Sequence, residues 1–116
     1  MTIAERNVAG VCVLDIAGPI TGGQDSAERL ADKVRSLLQQ GEKRLLINLA
    51  GVPYMDSAGL GELVRSYATT SRQDGRLKLL NATRKLNDLL IITKLASVFE
   101  LFDDEAAAVA SFGEGV

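Results

Sequence analysis

The chain has 116 residues, 47% apolar and 24% charged, with 13 basic against 15 acidic side chains and a formal net charge of −2. That length fits one domain spanning 1–116, large enough for a core without metal or disulfide staples, and the interspersed charges offer no clustered basic surface for direct nucleic-acid binding. Histidine is absent, which excludes histidine-based triads and histidine-ligated zinc and iron sites.

Residues 3–7 read as a short edge strand, residues 8–10 as a turn and residues 11–17 as a second strand, together an opening hairpin. Cys12 is the single cysteine. It lies in the apolar run Val11-Cys12-Val13-Leu14, so it reads as a small buried hydrophobe rather than a reactive thiol. Gly18-Pro19 ends the strand, and the pair Gly22-Gly23 allows a sharp turn. Asp25 with Glu28 has the form of a capping box. Ala27, Leu30, Ala31, Val34, Leu37 and Leu38 follow at helical spacing, and Gly41 closes that helix.

The run Leu45-Leu46-Ile47-Asn48-Leu49 reads as a buried central strand. After the break at Gly51-Val52-Pro53-Tyr54, either Asp56 or Ser57 can cap a helix. Its predicted buried face is Leu60, Leu63, Val64, Tyr67 and Ala68, with Gly75 at its end. Residues 77–80 give a further strand. Thr83 caps a helix with Leu86, Leu89 and Leu90 inward, and the Arg84-Lys85 pair reads as its solvated face. Residues 98–102 read as a last strand, and Asp103-Asp104-Glu105 opens an alanine-rich helix whose acidic start suits the helix dipole. Phe99, Phe102 and Phe112 are assigned to the core. Alternation of strands and helices implies parallel pairing, so the predicted fold is α/β, a mixed sheet flanked by about four helices. No apolar run nears the ~20 residues that cross a bilayer, and the first residues lack a signal-peptide core. A cytoplasmic protein without a membrane partner is expected.

The informative segment is Tyr54-Met55-Asp56-Ser57-Ala58-Gly59-Leu60-Gly61. It joins a buried strand to an amphipathic helix, so Ser57 falls where helix N–H groups lack partners and the dipole is positive. Two glycines in the first turn remove side chains from around it. Three readings compete: Asp56 or Ser57 as a plain N-cap, Ser57 as a nucleophile, and Ser57 as a phosphorylation site. The nucleophile elbow fails, because Met55 stands where the pattern needs glycine and no histidine can serve as base. A phosphate-cradling loop fails too, since no Gly-Lys-Ser/Thr follows. The residues alone do not choose between cap and modification site.

The Asp56-Ser57-Ala58-Gly59-Leu60-Gly61 run behind Tyr54-Met55 resembles the signature M-D-S-[SA]-G-L-G of the STAS family, specifically its bacterial anti-sigma factor antagonists. The likeness extends through Val13-Leu14-Asp15-Ile16-Ala17-Gly18, the Leu46-Ile47-Asn48-Leu49 strand and the helix at 83–95 before a short strand. This resemblance implies a non-enzymatic partner-switching regulator of transcription that needs no cofactor and no metal. Its implied partner is an anti-sigma factor that is a serine kinase of the histidine-kinase-like ATPase fold, with a serine phosphatase for reset. Carried over, Ser57 is the phosphorylated residue, and Asp56, Ala58, Gly59, Leu60, Gly61, Thr21 and Gly22 form the partner-binding surface. The alternative roles within the family are a stressosome scaffold component and a cytoplasmic accessory subunit of a lipid transporter. Two departures stand out. Thr21 and the glycine pair follow Gly18-Pro19-Ile20 where an acidic residue is common, and Lys94 precedes Leu95 where glycine is frequent.

Overall fold

A computed structural model describes residues 1–22 and 26–113. Among these, five strands form one sheet in the order β1 (Thr2–Val8), β2 (Val11–Ala17), β3 (Arg44–Gly51), β4 (Arg76–Leu80) and β5 (Leu101–Phe102). The first pair is antiparallel and the others are parallel. Helices α1 (Ser26–Gln39), α2 (Ser57–Arg72) and α3 (Arg84–Ile92) connect the parallel strands, and α4 (Glu105–Ser111) follows β5. The mixed sheet, opening hairpin and four helices are those expected from the sequence.

Period-two alternation divides the strands between two cores. Leu14, Ile16, Leu45, Ile47, Leu77 and Leu79 face the side covered by α1, α2 and α3, where Leu30, Leu37, Leu63, Leu86 and Phe99 pack against them. Val11, Val13, Leu46 and Leu80 face the opposite side and meet Ala108 and Phe112 of α4. Cys12 is buried as expected, and burial pushes its thiol up to about 11, with Glu5 and Glu42 adding to the shift. Phe99 and Phe112 are core residues, whereas Phe102 is half-buried. Arg84 and Lys85 lie exposed on α3.

Helix ends follow one rule with three different residues. The N–H groups of Gly41 and Glu42 bond back to Leu38 and Leu37, a Schellman closure with Gly41 at φ +91°. The same closure ends α2 through Asp74 at φ +61° and α3 through Lys94 at φ +63°. The turn at the end of α2 is therefore made by Asp74, one residue before Gly75. Gly75 is required for a different reason, since a Cβ there would lie 3.0 Å from the Lys43 carbonyl oxygen. The buried face of α2 also runs through Ser66 and Thr70, while Val64, Tyr67 and Ala68 are half-buried. The last strand is shorter than residues 98–102. Val98 and Phe99 donate to Leu95 in a turn, and only Glu100 and Phe102 accept from β4, through the N–H groups of Leu79 and Asn81. Asp25, expected to cap α1 with Glu28, lies outside the described residues.

Past the end of β2, residues 18–22 run beside residues 51–56 as a ragged continuation of the sheet. Gly18 N–H donates to Gly51 O (2.9 Å), Ile20 N–H to Tyr54 O (3.2 Å) and Asp56 N–H to Ile20 O (3.3 Å). Ile20 pairs with Met55 as an isolated parallel bridge, and its side chain is wholly buried. The approach is so close that a Cβ at Gly59 would sit 2.1 Å from Ile20 O, whereas a Cβ at Gly61 would meet nothing within 4 Å. The two glycines of the first α2 turn thus differ completely.

On the α4 face, polar ties replace much of the apolar packing. Arg6 donates to Asp15 (2.6 and 3.0 Å) and to Glu105 (2.6 and 3.2 Å), fastening the first turn of α4 to β1 and β2. Asn48 donates to the same Asp15 carboxylate (2.8 Å). At the other end of α4, the buried Lys78 ammonium reaches Ser111 Oγ (2.8 Å) and Glu100 (3.0 Å), and lies 4.6 Å from the Phe112 ring centre.

Two predictions follow from this architecture. Gly59→Ala should destabilise the fold by about 1–3 kcal/mol through collision with backbone, while Gly61→Ala should stabilise it by about 0.5–1 kcal/mol; urea midpoints measure both. Hydrogen bonds from Arg6 hold the Asp15 and Glu105 carboxyls below their ordinary range. Their contribution is therefore complete above the usual carboxylate range and is lost as pH falls through the lowered values. Thermal melts between pH 7 and pH 3 should show an acid-side fall that is shallower in Arg6→Met.

Candidate functional site

Ser57 is the first residue of α2, and Asp56 is its N-cap at φ −91° and ψ 179°, with its side chain accepting from Gly59 N–H (2.7 Å). Of the two capping candidates, the structure uses Asp56. The first intrahelical bond runs from Leu60 N–H to Asp56 O (2.9 Å). Asp56 N–H and Gly59 N–H have partners in Ile20 O and Asp56 Oδ1. The N–H groups of Ser57 and Ala58 have no acceptor among the described residues. They project at the positive end of the 16-residue helix α2.

The Ser57 side chain is exposed, and its hydroxyl makes no hydrogen bond among the described residues. No group of three or more metal-ligating side chains occurs among the described residues. Such a hydroxyl is open to an enzyme that visits it, and the free N–H groups beside it suit an added anion.

The surface expected from the sequence divides by depth. Ser57, Ala58, Gly61 and Gly22 are exposed, and Asp56 and Thr21 are half-buried. Gly59 and Leu60 are buried. Leu60 points into the apolar layer with Leu49, Met55, Leu63, Leu86 and Leu90 and supports the turn from beneath. Gly22 does reach the site. Its N–H lies 3.1 and 3.2 Å from the two Asp56 carboxylate oxygens, and a Cβ there would sit 2.3 Å from Ala58 Cβ. Exposed Tyr54 stands next to this surface at 49%. The sequence reading missed Ile20, whose backbone stitches the loop to the turn; an isolated isoleucine between Pro19 and Thr21 was the available signal.

Comparison with known proteins adds identity to this geometry. A family model described as the STAS domain matches residues 2–108. An anti-sigma-B factor antagonist of Bacillus subtilis is 39% identical over 89 residues, 75% of this chain and 81% of that protein. A crystal structure from Thermotoga maritima, provisionally described as an anti-sigma factor antagonist, superposes with a TM-score of 0.86 at 21% identity, covering 94% of this chain and 92% of the other. The phosphorylated form of the Bacillus cell fate determinant SpoIIAA superposes with a TM-score of 0.74 at 18% identity, covering 96% and 99%. No described helix is long and apolar enough to cross a membrane. A family match across most of the length, joined to a relative alike over most of both chains, places the protein in the STAS domain family.

Proposed function

We propose that this protein is an anti-sigma factor antagonist that works by partner switching: it binds an anti-sigma serine kinase when unmodified and is released when that kinase phosphorylates Ser57. A serine phosphatase resets the cycle. The observation that carries the reading is the exposed Ser57 hydroxyl beside two helix N–H groups, none of the three with a partner among the described residues. The name of the Bacillus subtilis relative supports the regulatory role, and the phosphorylated state described for SpoIIAA supports modification as the switch. The partner-facing surface in this reading is Ser57, Ala58 and Gly61 with Asp56, Thr21 and Gly22.

The sign of the effect on each state follows from electrostatics. A phosphate adds roughly −1.5 to −2 charge at neutral pH. On the free protein that charge meets the positive end of α2 and stabilises the fold by about 0.3–2 kcal/mol. In a docked interface the same group must shed water, at a cost of several kcal/mol unless a cation meets it. A net loss of about 3–4 kcal/mol weakens binding roughly 200- to 1000-fold. The interface effect is the larger and opposes binding, so release occurs without unfolding.

The test uses the full chain with serine or with translationally incorporated phosphoserine at position 57. Each form is used to capture partners, and the kinase recovered with the serine form is then incubated with the protein and ATP. Mass spectrometry should find phosphate on Ser57. Ser57→Ala should block modification while keeping affinity, and Ser57→Asp should weaken binding with little change in melting temperature. Phosphate confined to another residue, or equal capture by both forms, would refute the switch.

A further inference from the structure

Asp56 does more than an N-cap requires. Capping needs one side-chain oxygen on one early N–H, and Gly59 N–H at 2.7 Å meets that need. The same carboxylate also accepts from Gly22 N–H, at 3.1 Å through one oxygen and 3.2 Å through the other. That second bond crosses 34 residues of sequence and ties the loop after β2 to the first turn of α2.

The steric fit at the same point is equally specific. Gly22 lies so close to Ala58 that any side chain would collide with its methyl group, with Cβ atoms 2.3 Å apart. Gly22 therefore rests flat on Ala58, next to the exposed Ser57. The root of the loop is anchored independently, through the Ile20 backbone bonds to Tyr54 and Asp56. Thr21 O accepts from Ala27 N–H (2.9 Å), so loss of the carboxylate would release Gly22 and leave that root in place.

We propose that Asp56 is a positioning residue that holds Gly22 against the first turn of α2, so that loop and turn present one recognition surface around Ser57, with the Gly22–Ala58 contact setting its height. The inference rests on the switch reading of Ser57 and specifies how that site is built. A charge-assisted bond to a carboxylate is stronger than a neutral one, which suits a loop tip with little apolar burial of its own.

Separating this role from capping requires a residue that caps without bridging. Serine caps a helix about as well as aspartate, but its single short-armed oxygen cannot serve Gly59 and Gly22 together. Asp56→Ser should keep the melting temperature within a few degrees. By NMR, amide exchange at Gly22 should rise about tenfold, the effect of one lost charge-assisted bond, while exchange at Leu60 stays unchanged. Asp56→Asn, with the reach of the native side chain, should recover part of the protection. With the captured kinase and ATP, Asp56→Ser should raise KM for Ser57 phosphorylation more than it lowers kcat. Gly22→Ala should raise KM as well, and adding Ala58→Gly should return it towards the native value. Unchanged Gly22 exchange in Asp56→Ser overturns the proposal, as does a native KM in Gly22→Ala. If the unaltered protein is never modified at Ser57, the switch reading fails, and Gly22 exchange alone then decides whether Asp56 positions the loop.

Discussion

The close passage of residues 18–22 over residues 51–59 governs the functional end of this molecule. Three backbone hydrogen bonds join the two segments, and neither Gly22 nor Gly59 has room for a side chain. The buried Ile20 side chain fixes the depth at which the loop sits. Because the loop occupies that place, the N–H of Asp56 is satisfied from outside the helix and its side chain is left to serve Gly59 and Gly22. The first donors of α2 without a partner among the described residues are then those of Ser57 and Ala58. Access to Ser57 is thus an outcome of backbone packing two residues away, and it needs no dedicated pocket.

The two faces of the sheet divide the work. Leucine, isoleucine and valine side chains fill the α1–α3 side almost without polar atoms, which gives the α2 terminus a rigid support. The α4 side relies on ion pairs and hydrogen bonds at both ends of a seven-residue helix. A short helix is marginal by itself, and half-exposed ion pairs contribute little each. Phe112 and Ala108, both buried, supply the apolar part of its attachment.

How far the sequence revealed this depended on whether the signal was local. Hydrophobic periodicity located α1, α2, α3 and the three inner strands, since each buries a face that its own residues define. The N-cap at Thr83, the acidic start of α4 and the closure at Gly41 were legible for the same reason. Asp74 and Lys94 were not read, because lysine gives no sign of a positive φ and Gly75 stood beside Asp74 as the more obvious helix end; a non-glycine residue takes that conformation at a cost of about 1–2 kcal/mol. The short β5 was overread because Val98 and Phe99 have strand-like side chains but spend their N–H groups on a turn to Leu95. At the site, the family resemblance supplied Ser57 and Gly22. The distinction between Gly59, which has no room for a side chain, and Gly61, which lies in open space, depends on where Ile20 O falls. No reading of neighbours in sequence contains that.

The same arrangement bears on how charge at Ser57 could be communicated. Among the described residues the buried polar or charged side chains are Ser66, Thr70 and Lys78. Lys78 lies on the α4 face, engaged by Glu100 and Ser111. Behind the α2 terminus Leu49, Met55, Leu60, Leu63, Leu86 and Leu90 form an apolar layer, and close packing gives such a layer little freedom to shift in response. A phosphate at Ser57 would therefore act where it stands, on whatever surface faces it and on the Asp56 carboxylate one residue before. In the switch proposed above, partners would exchange because the face on offer changes, with the fold behind it left as it is.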